Sequence, residues 1–113
     1  MKAGELSPAV VERVQFTLRY QKRVPSESGC YVLTTFEGDV LYVGLSCDLN
    51  RRFGEHRGNV EKCEPTLFGK AFWFYFLKQP DKETERVERS WMNQYCSIHG
   101  ERPVLNQVDS PVH

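Results

Sequence analysis

No apolar run in this sequence approaches the ~20 residues that span a bilayer, so no membrane-crossing segment is expected. The opening, MKAGELSPAVVERV, holds one lysine and neither a long apolar core nor a small-residue cleavage site. That excludes a secretory signal and makes the cytoplasm the expected location. Cys30, Cys47, Cys63 and Cys96 form no C-x-x-C pair, and His56, His99 and His113 complete no zinc spacing, so reduced structural thiols are expected. Repeats and low-complexity segments are absent. So is net charge: 15 basic and 15 acidic side chains cancel, and the global field gives no argument for a nucleic-acid partner. Only local clusters can supply one, namely Arg51, Arg52 and Arg57 with His56, and Arg19, Lys22 and Arg23 in RYQKR.

What is present fits one compact domain. A chain of 113 residues can bury a single core, and 40% hydrophobic with 27% charged residues is an ordinary globular composition. Ser7 before Pro8 reads as a helix start, with Val11, Val14 and Leu18 at helical spacing after it. CYVLTTF (30–36) and DVLYVGL (39–45), rich in β-branched and aromatic residues around EGD, predict a hairpin. Ser46 or Asp48 can cap the next helix, where Leu49 and Phe53 recur at i, i+4 and Arg52 and His56 on a neighbouring stripe. Gly54 weakens that helix by about 1 kcal/mol relative to alanine. Residues 58–69 read as a loop, and KAFWFYFLK (70–78) as a buried central strand. Val87, Trp91 and Tyr95 mark a helix from about Lys82 to Cys96, followed by an extended, proline-containing tail.

The predicted fold is therefore α/β: a small antiparallel three-stranded sheet flanked by helices, with an extra N-terminal helix. Residues 1–24 form that helix, 25–107 the main domain and 108–113 a frayed tail.

The chemistry gathers on the hairpin. Tyr31 and Tyr42, ten residues from the middle of one strand to the next, are expected to face each other across the pair. Gly44 leaves a bare position where a phosphate can come close, and Arg52 can bring a guanidinium back over the same surface. On the last helix, Glu85 has Lys82 and Arg89 as helical neighbours, which describes an exposed side chain. Glu88 has Trp91 and Met92 at i+3 and i+4, which places it at the edge of the buried stripe and suits it to a hard cation.

GCY, then YVG, then Arg52 ten positions past Tyr42, His56 four later, a helix glutamate and PVLN near the end together resemble the GIY-YIG nuclease domain, found in homing endonucleases, the incision domain of bacterial excision repair and some restriction enzymes. The resemblance covers residues 25–106. It implies metal-dependent hydrolysis of DNA with Mg²⁺, for which Mn²⁺ substitutes. Tyr31 and Tyr42 are then the signature tyrosines, Arg52 the catalytic arginine, His56 the residue one turn beyond it, Glu88 the metal ligand and Asn106 the closing asparagine. Gly44, Arg51, Arg57 and Asn106 become candidate DNA contacts. Cys30 and Val43 replace isoleucines of the pattern, and Leu45 stands where several members carry lysine.

Two candidates remain for the base that activates water. Tyr42 follows from the resemblance, whereas His56 has an unperturbed pKa of about 6.5 and needs no adjustment. A rival function is a catalytically silent module of the same fold that binds DNA or protein. A third is a cleavage subunit that draws specificity from a protein partner or from a second copy, since net charge zero predicts weak unaided affinity for DNA.

Overall fold

The computed structural model describes residues 1–107. Four antiparallel strands form one sheet in the order β1-β4-β2-β3: β1 Glu12–Gln15, β2 Gly29–Thr34, β3 Val40–Ser46 and β4 Trp73–Lys78. Helices α1 (Leu49–Arg57), α2 (Val60–Cys63) and α3 (Asp81–His99) complete the fold, with short 3₁₀ turns at Ala3–Glu5, Leu18–Arg23 and Val104–Asn106.

Alternation along the strands divides the core in two. Tyr31, Leu33, Phe74 and Phe76 point to one face and pack with Leu49 and Phe53 of α1 and with Phe16. Cys30, Val32 and Val43 point to the other and pack with Val87, Trp91 and Tyr95 of α3. Each fully buried side chain of this size contributes roughly 1.5–3 kcal/mol. The predicted architecture is thus present, with one strand more than the sequence indicated.

The additional strand comes from the segment expected to be helical. Val11 and Leu18, two of the three residues that set the helical spacing, are 80% and 62% exposed, while Val10 and Phe16 are buried. β1 instead pairs with β4, Arg13 opposite Tyr75 and Val14 opposite Phe74. The Trp91 indole of α3 donates to the Pro8 carbonyl at 2.9 Å, and the backbone N–H of Ser7 donates to the Gln94 side chain at 3.0 Å. A helix there would leave the outer edge of β4 unpaired and these groups without partners.

Other boundaries shift for local reasons. β4 begins at Trp73 and lies between β1 and β2, so its aromatic run is central as expected. The predicted loop 58–69 contains α2, capped by Asn59, whose side chain accepts from the Lys62 N–H at 3.3 Å. Asp48 is the cap of α1, accepting from the Arg51 N–H at 3.0 Å. Gly54 has a packing reason: a Cβ there would lie 2.6 Å from Nε2 of Gln21. The tail expected over 108–113 lies outside the described residues.

Candidate active site

The hairpin register sets the first relationship. Tyr31 lies opposite Gly44, and Tyr42 lies opposite Leu33, so the tyrosines are diagonal rather than directly paired as expected. Their rings nevertheless stack, with centroids 5.9 Å apart and 27° between planes. Gly44 makes this possible, because a Cβ there would sit 2.5 Å from the Tyr31 hydroxyl and 2.8 Å from Tyr42 Cε1. The space expected to admit a phosphate is filled by tyrosine. Tyr31 is wholly buried and its other face stacks on Phe74 at 5.0 Å. Tyr42, on the edge strand β3, is half-buried.

His56 reaches this pair from α1. Its Nε2 lies 2.6 Å from the Tyr31 hydroxyl, and its ring meets Tyr42 edge-on with centroids 5.2 Å apart. Burial, then the positive charges of Lys62 and Arg52, push its pKa down to about 3. The imidazole is neutral at pH 7, and the near-neutral pKa expected for it is not retained. Burial, reinforced by Tyr42, pushes the Tyr31 phenol well above 10, with the Arg52 charge opposing the rise. The two hydrogen-bonded groups therefore hold each other as neutral partners.

The three arginines part ways. Arg52 is about one-third exposed; its Nε lies 2.9 Å from Glu55 Oε1, but the N–H makes no hydrogen bond, so the contact is purely electrostatic. Arg51 points outward, 3.7 Å from Glu55 Oε2, and donates to the Cys47 sulfur at 3.5 Å. Arg57 leaves the tyrosines altogether: its guanidinium sits 4.9 Å from the Phe16 ring centroid and donates to the Cys63 sulfur at 3.5 Å.

Lys62 is a participant that sequence reasoning missed. Only 8% exposed, it places Nζ 4.7 Å from the Tyr42 ring centroid, and burial pulls its pKa below the usual lysine value. Asn59 as a helix cap was the available signal, since it converts the loop into a turn that carries Lys62 inward.

Glu88 lies on α3, the helix that packs on the opposite face of the sheet. It is half-buried while Glu85 is exposed, as their helical neighbours indicated. Burial raises its pKa against the lowering charges of Arg102 and Arg89. Its negative charge also reaches the Cys30 thiol, which burial first and Glu88 second push up to about 12. Among the described residues no group of three His, Cys, Asp or Glu side chains is placed to hold a metal. Asn106 is committed to the backbone of Val43, accepting from its N–H at 2.8 Å and donating to its carbonyl at 2.9 Å. It serves the outer edge of β3 as a neighbouring strand would, one residue from Tyr42.

One sheet face of this small α/β domain thus carries a buried tyrosine–histidine pair, a second tyrosine and an arginine. The model of the GIY-YIG catalytic domain matches residues 27–101 of the 113, and the chain belongs to that family. No curated protein matches the chain.

Proposed function

We propose that this protein hydrolyses DNA phosphodiester bonds with the help of Mg²⁺ or Mn²⁺, with low sequence specificity unless a partner or second copy supplies it. The observation that carries this reading is the placement of the half-buried Tyr42 against the neutral Tyr31–His56 pair, with Lys62 over its ring and Arg52 beside the cluster.

Glu88 fits a hard cation. It is half-buried, makes no ion pair among the described residues, and burial outweighs the charges of Arg102 and Arg89; Mg²⁺ commonly takes one or two carboxylates plus waters and phosphate oxygens. Glu88 lies on the α3 side of the sheet and Tyr42 on the α1 side, so a cation held by Glu88 would neutralise charge on a phosphate lying across the β3 edge between them.

The chain's own residues account for the remaining roles. Tyr42, as phenolate, takes a proton from the water that attacks phosphorus, and the bond to the leaving sugar oxygen breaks as that oxygen takes a proton from solvent. Lys62 over the Tyr42 ring and Arg52 beside the cluster are the cations on this side of the sheet. Tyr31 and His56 fix the Tyr42 ring, and Arg52 faces the charge that grows on the phosphate. His56 is thus a positioning residue in this mechanism, not the base.

The test is cleavage of plasmid, single-stranded and branched DNA with Mg²⁺, Mn²⁺ or chelator. Wild type is expected to nick or cut with either metal and not with chelator. Arg52→Lys is expected to lose ~10²-fold or more, as removal of a transition-state donor typically does, and Arg51→Lys little. No cleavage of any DNA, or equal losses at positions 51 and 52, would overturn the reading.

A further inference from the structure

Beside Arg57, where α1 ends, the surface opens into a cavity of about 400 Å³. Phe16, Phe36, Glu37, Arg57, Lys70 and Phe72 are among the residues that line it. The cavity adjoins the tyrosine cluster through the core. Arg57 follows His56 directly, and the Phe16 ring packs edge-on against Phe53, one turn back in α1, at 5.3 Å.

Its walls are unusual for an idle surface depression. Arg57 and Lys70 bring two cationic side chains to it beside the rings of Phe16, Phe36 and Phe72. Phe36 stands 64% exposed, edge-on to Phe72 with ring centroids 5.0 Å apart. Beside it, a tight turn holds Leu67 and Phe68 out in water at 95% and 60% exposure. That turn is stiff: Thr66 and Gly69 exchange backbone hydrogen bonds at 2.9 and 3.1 Å. The Thr66 hydroxyl adds a donor bond to the Gly69 carbonyl at 2.6 Å and accepts from the Phe68 N–H at 3.1 Å. A rigid tip that presents two large apolar side chains to solvent points to an interaction site.

The features match one chemical group. A nucleobase has an apolar face, which the exposed Phe36 ring can stack, and a polar edge, which Glu37 can bond. Its phosphate needs a cation, and Arg57 and Lys70 both line the cavity. A base paired within a duplex cannot enter such a pocket, whereas an unpaired or extruded one can. An apolar tip alongside is the kind of element that enters a base step and parts it.

We infer that the pocket receives one unpaired nucleobase, and that the preferred substrate is DNA carrying an unstacked nucleotide, with the Leu67–Phe68 turn wedged into the adjacent step. This rests on the reading above that DNA is the substrate, and it goes beyond it by assigning a site and a substrate form.

The experiment measures binding, so that it stands apart from turnover. The full chain carrying Glu88→Gln is titrated into a fluorescent duplex and into the same duplex with one unpaired 2-aminopurine, strand integrity being checked on gels. Binding to the bulged duplex is expected to be tighter by about tenfold, in line with the worth of one stacked base, and 2-aminopurine emission is expected to fall on saturation as the base stacks. Phe36→Ala, at an exposed side chain, is expected to melt like its parent and to lose both the preference and the quenching. Equal affinity for the two DNAs, unchanged emission, or a preference that survives Phe36→Ala would overturn the pocket while leaving DNA cleavage by wild type standing. Failure to bind either DNA, with no cleavage by wild type, would overturn the DNA reading and the pocket together.

Discussion

The Tyr31 hydroxyl and Nε2 of His56 lie 2.6 Å apart in the interior, with the tyrosine wholly buried and the histidine 7% exposed. Two groups that titrate readily in water are here locked in their neutral forms, because neither can be hydrated as an ion. That removes both from proton transfer near neutral pH and leaves the half-buried Tyr42 as the phenol within the cluster that solvent can reach.

The pH–rate profile should carry this signature. With His56 at about 3, no inflection is expected near pH 6.5, and the rate should continue to rise above pH 7. Tyr42→Phe should lose ~10²–10⁴-fold at every pH, the usual worth of a general base. His56→Gln should be weakened with the rising profile retained. A plateau above pH 7 with a midpoint near 6.5 would assign the base to the imidazole.

The same buried histidine should govern acid stability. Its folded pKa lies below its unfolded value, so between about 6.5 and about 3 the unfolded chain binds the proton first. Stability from this group is complete above about 6.5 and is lost as pH falls toward 3. Melting temperatures of wild type and His56→Gln, compared from pH 8 to pH 4, should converge as the pH drops. Parallel curves across that range would mean that His56 is hydrated.

Glu88 should show the opposite sign. Burial raises its folded pKa above 4.5, so its favourable contribution is present at low pH and lost as pH rises through that region. Glu88→Gln should therefore melt higher than wild type at pH 7 while abolishing cleavage. Mg²⁺ should raise the melting temperature of wild type and not of Glu88→Gln. Glu85→Gln, at an exposed position, should change neither property, and an inactive Glu85→Gln would move the metal role by one helical turn.

Lys62 should act on the tyrosine electrostatically. Its Nζ lies 4.7 Å from the Tyr42 ring, so Lys62→Met removes a buried cation beside the reacting residue. Cleavage should fall in Lys62→Met and return toward wild type in Lys62→Arg, which keeps the charge. Equal loss in both variants would indicate a packing role only.

Much of this was legible in local sequence. The β-branched and aromatic runs around EGD place both hairpin strands within one or two residues of where they lie, because period-2 patterning and turn residues act over short range. The Val87, Trp91 and Tyr95 stripe locates α3, and the neighbours of Glu85 and Glu88 separate an exposed carboxylate from a half-buried one for the same reason. The spacing of Tyr31, Tyr42, Arg52 and His56 suffices to recognise the family, since each is placed by the element that bears it.

What tertiary structure alone decided are quantities that depend on partners distant in the chain. Residues 12–15 pair as a strand because β4 offers an open edge about sixty residues away, which outweighs a helical spacing of apolar residues that packing leaves in water. Tyr31 faces Gly44 rather than Tyr42 because the hairpin register is fixed across the turn and not by counting along one strand. The pKa of His56 is set by burial together with Lys62 and Arg52, so no property of histidine itself could supply it. Composition fixes how many charged and aromatic groups the chain carries; only the packed fold determines which of them lose their water, and that loss converts ordinary side chains into a site.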